Sequence, residues 1–294
     1  MKPSPFEFLR PATLAEALEA LAGNPHAKVL AGGQSLIPLL SMRLAAPEML
    51  VDINGLDELA YVRASTDGVR VGALARHAEV QADADAERVQ PLLAQALALV
   101  AHPTIRNRGT TVGSIVHADA SAEMPVVLSL LSGSLTVASA ASTRTIPASE
   151  LYAGPMESTL QQGEIATEAF FPALAPGAGV AFDEIARRHG DYALCGVAAV
   201  VTVDDARKVE SVRCGYLSVC EVPTVLDLSE VFASGAVGDA ALAAAGELAL
   251  GSLEPEADIH ASADYRAQLV RVLTARVVRA AYDDAVDRSD RRVR

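Results

Sequence analysis

Cysteine is scarce in this sequence, and its scarcity excludes several kinds of site. The 294 residues contain three cysteines, Cys195, Cys214 and Cys220, and no two of them form a C-x-x-C pair. Three thiols cannot supply all the ligands of a cysteine-bound iron–sulfur cluster, and they cannot build a disulfide framework. We therefore expect buried, unbridged cysteines and no metal site on this chain, so that any metal cluster lies on another chain.

Long apolar runs are also missing, and the only cluster of basic residues is the terminal segment "RSDRRVR", residues 288–294. The most apolar segment, residues 194–203, is much shorter than the roughly 18 residues that indicate a membrane span. The formal net charge is −13, whereas binding to nucleic acid requires clustered lysine and arginine. The first residues also lack the apolar core of a secretory signal. We expect a cytoplasmic protein with no transmembrane segment and no nucleic-acid partner.

The first part of the chain has the pattern of a small β-α-β unit. Thr13 and Glu16 have the spacing of a capping box before a helix that Gly23 ends. Hydrophobic periodicity then predicts a strand, a short helix and a second strand, at residues 29–31, 36–44 and 49–53.

The rest of the chain changes character near the segment "FFPALAPGAG". Before it, a strand and two helices are predicted at residues 69–74, 87–100 and 123–131. After it come three strand-like segments at hairpin spacing, followed by helices at residues 240–250 and 262–286. We predict an α+β protein with three parts, residues 1–57, 58–176 and 177–294, of which the last is an antiparallel α+β domain.

The segment "KVLAGGQSLIPLL", residues 28–40, predicts a phosphate-binding loop. A predicted strand ends at Gly32 and Gly33, and the small polar residues Gln34 and Ser35 follow at a helix start. The segment lacks the G-x-G-x-x-G pattern of dinucleotide folds, although Asp52 lies about where a Rossmann unit carries its ribose-binding acid. Adjacent glycines before a helix present several backbone N–H groups in one direction, and such a nest binds phosphate without lysine.

A second loop, "RNRGTTVGSIVHADASAE", repeats this character. Its small residues precede a predicted apolar strand, and they are Thr110, Thr111, Gly113 and Ser114. Two such loops suit a ligand that is bridged by a diphosphate. Downstream lie His117, Asp119 and Glu123, which are residue types that bind metals. Glu123 also stands at a predicted helix start, where the helix dipole favours a carboxylate. We favour contact with a nucleotide over the metal and the purely structural interpretations.

Four motifs together resemble a known family. They are "AGGQSLIPLLSMRLAAPEMLVDI", "HPTIRNRGTTVGSIVHADASAEMP", "RRHGDYALCGVAAVV" and "HASADYRAQLVRVL". In this order they resemble the FAD-binding medium subunit of molybdenum hydroxylases, the group of carbon monoxide dehydrogenase and xanthine dehydrogenase. The resemblance covers nearly the whole chain. It implies a two-part FAD-binding fold of the vanillyl-alcohol-oxidase (PCMH) type, followed by a C-terminal antiparallel α+β domain.

The resemblance also implies roles for particular residues. The first loop would wrap the FAD diphosphate with its backbone, through Ala31, Gly32, Gly33, Gln34, Ser35 and Leu36. The second loop would add contacts from Thr110, Thr111, Gly113 and Ser114, with His117 nearby, Glu123 at the ribose, and Asp191 and Tyr192 at the isoalloxazine ring. Val112 stands where the family usually has glycine, and a β-branched residue resists positive φ. The sequence leaves the effect of Val112 on the fine geometry of the second loop open, while the amide donors on either side of it are kept.

The resemblance finally implies a division of labour between subunits. A large partner subunit would carry the molybdenum cofactor, a small one would carry two [2Fe-2S] clusters, and this chain would pass electrons through FAD to an external acceptor. The complex would be a dimer of heterotrimers. Because the flavin supplies the redox chemistry, no catalytic side chain is expected here.

Two alternatives and one question stay open. A stand-alone FAD-dependent oxidoreductase would need a polar pocket, for which His189 beside Asp191 is the only hint. A scaffold that has lost FAD is favoured only by Val112. The substrate of a complex is equally open between carbon monoxide, a purine, a nicotine derivative, and another heterocycle or aromatic.

Overall fold

The computed structural model describes residues 2–293 and begins with a three-stranded parallel sheet in the order β1-β3-β2. Its elements are β1 (Glu7–Leu9), α1 (Leu14–Gly23), β2 (Ala27–Leu30), α2 (Leu36–Met42) and β3 (Met49–Asp52). The Thr13 hydroxyl accepts a hydrogen bond from the Glu16 amide at 3.2 Å, and the Glu16 carboxylate accepts one from the Ala12 amide at 2.7 Å. The predicted β-α-β unit and its preceding helix are confirmed, whereas the short exposed β1 was not predicted.

The middle of the chain forms a five-stranded antiparallel sheet in the order β4-β5-β10-β6-β7. Its strands are β4 (Val62–Ser65), β5 (Gly68–Gly72), β6 (Ser134–Ala138), β7 (Thr143–Pro147) and β10 (Ile165–Pro172), and a separate hairpin is formed by β8 (Tyr152–Gly154) and β9 (Glu157–Ser158). Between β5 and β6 run six helices: α3 (His77–Ala82), α4 (Ala84–Val89), α5 (Pro91–Leu99), α6 (Pro103–Arg106), α7 (Thr111–His117) and α8 (Glu123–Leu130). Short 3₁₀ turns occur at Asp57–Leu59, Ala148–Glu150 and, later, Ser229–Phe232.

The single helix predicted for residues 87–100 is wrong. The chain forms α4 and α5 instead, because Pro91 has no N–H and its ring clashes with a preceding helical turn. Gln90 lies at the break, completely buried, and its side-chain amide donates to the Pro172 carbonyl at 2.8 Å. The break therefore anchors both helices to the end of β10.

The apolar strand predicted after the second loop is also wrong, because helix α7 forms there. Thr110 caps this helix, since its hydroxyl accepts a hydrogen bond from the Gly113 amide at 3.1 Å. Val112 and Ile115, three residues apart, are buried on one face of the helix. Val112 has helical backbone and is not among the described residues with positive φ, so its branched side chain is compatible with the conformation that the second loop adopts.

The C-terminal part is a four-stranded antiparallel sheet in the order β11-β12-β13-β14, with two helices. Its elements are β11 (Ala178–Ala186), β12 (Ala193–Val203), β13 (Val209–Leu217), β14 (Thr224–Asp227), α9 (Asp239–Gly251) and α10 (Ala263–Val293). Three of these strands and both helices confirm the predictions, and β14 was not predicted. No helix among residues 2–293 is long and apolar enough to cross a membrane.

The packing brings the C-terminal sheet against α8, the helix that follows the second loop and α7. One hydrophobic core runs through the parallel sheet and the five-stranded sheet, and a second lies between the C-terminal sheet and α9 and α10. A small cluster of Val126, Ala193 and Leu217 joins α8 to β12 and β13. The adjoining ends of β12 and β13 therefore lie beside the connection between α7 and α8.

Candidate functional site

The first loop is a bare stretch of backbone between β2 and α2. Gly33 has a φ of 72°, in the left-handed region that glycine adopts most readily. A Cβ atom on Gly32 would lie 2.5 Å from the Arg108 carbonyl oxygen and 2.8 Å from Cα of Gly109. The absence of a side chain at Gly32 therefore lets the first loop touch the start of the second.

The amides of the first loop are free within the described part of the chain. The backbone N–H groups of residues 32–36 donate to no backbone or side-chain acceptor there. Two carbonyl groups of the loop, in contrast, do accept hydrogen bonds. The Gln34 side chain donates to the Gly32 carbonyl at 3.0 Å, and the Ile37 amide donates to the Gly33 carbonyl at 3.0 Å. A row of free N–H groups at a helix start suits a phosphate group, and a diphosphate needs no lysine here.

In the second loop, by contrast, three backbone amides already donate hydrogen bonds within the protein. The Thr111 amide donates to the Ala75 carbonyl at 3.4 Å, the Gly113 amide to the Thr110 hydroxyl at 3.1 Å, and the Ser114 amide to the Thr110 carbonyl at 3.0 Å. Thr110 and Thr111 are buried, whereas Ser114 is half-buried. These three amides are therefore not free donors, and Ser114 offers its hydroxyl instead.

A buried histidine, His77, holds the second loop in place through two hydrogen bonds. The Thr111 hydroxyl lies 3.2 Å from Nδ1 of His77, and the His77 amide donates to the Gly109 carbonyl at 3.0 Å. Burial, followed by the charge of Arg106, lowers the pKa of His77 to about 4. The ring is therefore neutral at physiological pH and serves as a hydrogen-bonding support.

Two residues that the sequence reasoning missed tie the loops together. Nδ2 of Asn54 donates to the Ala31 carbonyl at 2.8 Å and to Oδ1 of Asp52 at 2.6 Å. The Arg76 guanidinium donates to Oδ1 of Asn54 and to the Arg108 carbonyl, both at 2.7 Å. Asn54 comes just after a predicted strand and could have been suspected from that position, but no local pattern distinguishes Arg76. The Asp52 carboxylate, a candidate ribose ligand by its position in the sequence, supports Asn54.

An acidic group lies downstream of the second loop. Glu123 begins α8 half-buried, and burial together with the charge of Asp119 raises its pKa to about 7. Glu184 on β11 was also missed by the sequence reasoning. One of its carboxylate oxygens is buried and has no hydrogen-bond partner among residues 2–293. Burial and then the charge of Glu123 raise the pKa of Glu184 to about 8. His117 ends α7 half-buried, and burial lowers its pKa.

These acids do not form a metal centre. No group of three His, Cys, Asp or Glu side chains among residues 2–293 is arranged to hold a metal ion. Glu123 and Glu184 change protonation near neutral pH, so each can donate or accept a hydrogen bond there.

The turn between β11 and β12 brings Tyr192 to the same region. The side chain of Tyr192 is 66% exposed, so it is not an ordinary core residue, and Asp191 before it is also exposed. Partial burial and then the charges of Asp119 and Glu123 raise the pKa of Tyr192, which lies near both.

Gly190, in the same turn, allows the backbone to pack closely against His102. It has a φ of 86°, and a side chain there would strike the imidazole ring of His102, immediately before α6. The rings of His102 and His189 meet edge-on with centroids 6.1 Å apart. The structure thus gathers the first loop, the second loop and Tyr192 around one region, although direct contacts with FAD stay predictions.

The amino-acid sequence of this chain is similar to two known family domains and to known proteins over nearly its whole length. The FAD binding domain in molybdopterin dehydrogenase matches residues 4–174, and the CO dehydrogenase flavoprotein C-terminal domain matches residues 180–281. The 6-hydroxypseudooxynicotine dehydrogenase complex subunit alpha of Paenarthrobacter nicotinovorans is 40% identical over 95% of each chain. The nicotine 6-hydroxylase medium subunit of the same organism is 36% identical over 95% of this chain and 98% of its own.

A solved structure agrees with the sequence matches. Quinoline 2-oxidoreductase from Pseudomonas putida 86 superimposes with a TM-score of 0.90 and 37% identity, over 97% of this chain and 99% of its own. The predicted resemblance and the predicted α+β class with an FAD-binding fold are both confirmed. This chain belongs to the family of FAD-binding medium subunits of the molybdenum hydroxylases.

Proposed function

We propose that this chain relays electrons from the [2Fe-2S] clusters of a small partner subunit, through FAD, to an external acceptor. A large partner subunit carries the molybdenum cofactor and oxidises the substrate. The observation that carries the proposal is the row of free amides at residues 32–36, held against the second loop by Gly32. Such a row fits the diphosphate of FAD, which is the cofactor of this family.

The two loops hold the cofactor in different ways. Residues 32–36 offer backbone donors to the diphosphate, and the Asn54 side chain holds the preceding Ala31 carbonyl by a hydrogen bond of 2.8 Å. From the second loop, the Ser114 hydroxyl and the Glu123 carboxyl offer polar contacts to the nucleotide. Asp191 and Tyr192, from the turn before β12, approach the isoalloxazine ring.

The chemistry asked of this chain is binding and orientation. Bound FAD supplies the exchange of electrons, and the protein positions it and sets its electrostatic surroundings. Cys195 and Cys214 are completely buried among apolar side chains in the core between the C-terminal sheet and its helices, so neither thiol is accessible to a cluster. This supports placing the iron–sulfur clusters on a partner.

The substrate of the complex is proposed to be a nitrogen heterocycle. The three relatives compared with this chain are named for a nicotine derivative, nicotine and quinoline, all of which contain a nitrogen heterocycle. We also propose a dimer of heterotrimers and the division of this chain at residues 57 and 176. The separate sheets on either side of residue 176 support that second boundary. The cytoplasmic location stays a prediction.

The test is purification of the native complex followed by anaerobic reduction. The complex should contain FAD, molybdenum and iron, and a pyridine or quinoline substrate should bleach the flavin only when all three subunits are present. The isolated chain should bind FAD but should not be reduced by the substrate. Bleaching of the isolated chain by substrate would contradict the relay and would favour a stand-alone oxidoreductase.

A further inference from the structure

The fourth sequence motif, "HASADYRAQLVRVL", contributes a buried arginine that the proposed function leaves unexplained. Arg266 lies in the first turn of α10 and is 6% exposed. Its Nη1 donates to the Leu194 carbonyl at 2.7 Å and to the Ser218 carbonyl at 2.5 Å, and its Nη2 donates to Asp258 at 2.7 Å. One guanidinium therefore holds the start of β12 and the residue after β13.

Both carbonyls belong to backbone that leads directly to the candidate site. Leu194 comes two residues after Tyr192. Ser218 donates its amide to the Ala120 carbonyl at 2.8 Å, in the connection between α7 and α8 that contains Asp119 and leads into Glu123. Arg266 touches neither Tyr192 nor Glu123, yet it fixes the backbone from which both are presented.

The chemistry of the side chain suits this task. A buried guanidinium is costly unless its donors are used, and a planar fork can hold separate acceptors at fixed angles. Nε of Arg266 is buried and has no hydrogen-bond partner in the described part of the chain, so the side chain is oriented by its terminal nitrogens. Asp258 is itself fixed, because Oδ1 accepts hydrogen bonds from the amides of His260 and Ala261 at 2.8 and 2.9 Å.

We propose that Arg266 is a positioning residue for the flavin-ring side of the site. It acts through Leu194 on Tyr192 and through Ser218 on the connection at Ala120. This inference rests on the proposed placement of Tyr192 at the isoalloxazine ring. Helix α10 thus contributes to cofactor geometry although its first turn contains no proposed cofactor ligand.

The test compares Arg266→Lys with Arg271→Gln, a control on the same helix whose guanidinium makes an exposed ion pair with Glu247 at 2.8 Å. Lysine keeps the charge but cannot reproduce the fork. Arg266→Lys should change the visible circular dichroism of bound flavin and raise the Kd for FAD about tenfold, as a loss of local order would. Arg271→Gln should change neither. If Arg266→Lys binds FAD with unchanged affinity and an unchanged flavin spectrum, the inference is wrong.

A milder variant covers the case in which Arg266→Lys does not fold. Asp258→Asn weakens the ion pair at a half-exposed position while leaving both carbonyl bonds of Arg266 possible. It should shift the flavin circular dichroism in the same direction by a smaller amount. A folded Asp258→Asn protein with an unchanged flavin signal, beside an unfolded Arg266→Lys protein, would reduce Arg266 to a folding role and overturn the inference.

A double variant separates this inference from the proposed function. Tyr192→Ala alone should alter the flavin spectrum, and adding Arg266→Lys should alter it by less than it does in the native background, because one residue acts through the other. A silent Tyr192→Ala would refute the placement of Tyr192 and, with it, this route of action. A strong Tyr192→Ala effect beside a silent Arg266→Lys would refute the role of Arg266 alone.

Discussion

The first loop leaves its backbone amides free, whereas the second loop occupies its own. Residues 32–36 donate to no acceptor within the described chain, but the amides of Thr111, Gly113 and Ser114 all donate inside the protein. Both loops are rich in small residues, and the difference lies in the residue at each helix start. Thr110 caps a helix with its own hydroxyl, while the Ser35 side chain makes no cap hydrogen bond to any described residue. An anion-binding loop therefore requires unused donors, and small residues alone do not provide them.

The largest expected effect comes from adding a side chain at the contact between the two loops. Gly32→Ala places a Cβ atom 2.5 Å from the Arg108 carbonyl oxygen, where backbone atoms must move. We expect the Kd for FAD to rise at least a hundredfold, equivalent to about 3 kcal/mol of binding free energy. The measurement is fluorescence titration of the apoprotein with FAD.

The matched control is Gly251→Ala, at a helical glycine with open space around it. It should bind FAD as the native chain does. Gly33→Val tests the same loop by a different route, because a valine with a φ near 72° is strained although its nearest neighbours are flexible side chains. A folded Gly33→Val protein that retains stoichiometric FAD at native affinity would remove this loop from the site.

The second effect tests the connection between the loops. Arg76→Met removes the donor that joins Asn54 to the Arg108 carbonyl. We expect an FAD affinity about tenfold weaker and a free energy of unfolding lower by about 2 kcal/mol, since charge-assisted hydrogen bonds contribute on that scale. Arg88→Gln, which breaks an exposed ion pair with Asp85, is the control for loss of an arginine. Native FAD affinity in Arg76→Met would show that the loops hold their places independently.

The third effect should separate stability from binding. Thr111→Val removes the hydrogen bond to the neutral ring of His77. Thermal and denaturant unfolding should show a loss of about 1 to 3 kcal/mol, because Nδ1 of a buried histidine is left without a partner. FAD affinity should change less than twofold. A Thr111→Val protein that is as stable as the native one but binds FAD poorly would mean that the hydroxyl faces the cofactor instead.

The smallest effect concerns the acids beside the second loop. The folded-state pKa of Glu123, about 7, lies above its ordinary value of 4.5, so the folded state binds more protons than the unfolded state between these values. Its contribution to stability is full below pH 4.5 and is lost as the pH rises through about 7. Glu184 extends the loss to about pH 8. Melting temperatures of the apoprotein between pH 5 and 7 should fall less steeply in Glu123→Gln, and an unchanged slope would contradict the burial of this carboxyl.

Much of this site is readable from local sequence patterns. The pair Gly32 and Gly33 indicates a place where two stretches of backbone come close and where the chain turns with positive φ. The capping box at Thr13 predicts a helix correctly. The failures have physical causes. Pro91 divides a helix whose apolar pattern continues through it, and Thr110 caps a helix where apolar content suggested a strand.

Other features depend on contacts between distant segments. Arg76 joins Asn54 to Arg108 across the fold, and Arg266 reaches from the last helix to carbonyls at Leu194 and Ser218. No local pattern encodes such pairs, because each depends on how separate sheets pack. The sequence therefore indicates the loops that form the site, whereas only the three-dimensional structure shows the distant side chains that hold those loops in place.

Amide hydrogen exchange with and without FAD tests the contrast between the loops most directly. Binding should slow exchange strongly at residues 32–36, whose N–H groups have no acceptor in the described chain, and should change it much less at residues 111–114, where three of the four amides are already bonded. The comparison uses one protein sample at equal temperature and pH, with stoichiometric FAD verified by absorbance. Unchanged exchange at residues 32–36 while FAD is fully bound would contradict the proposed diphosphate site.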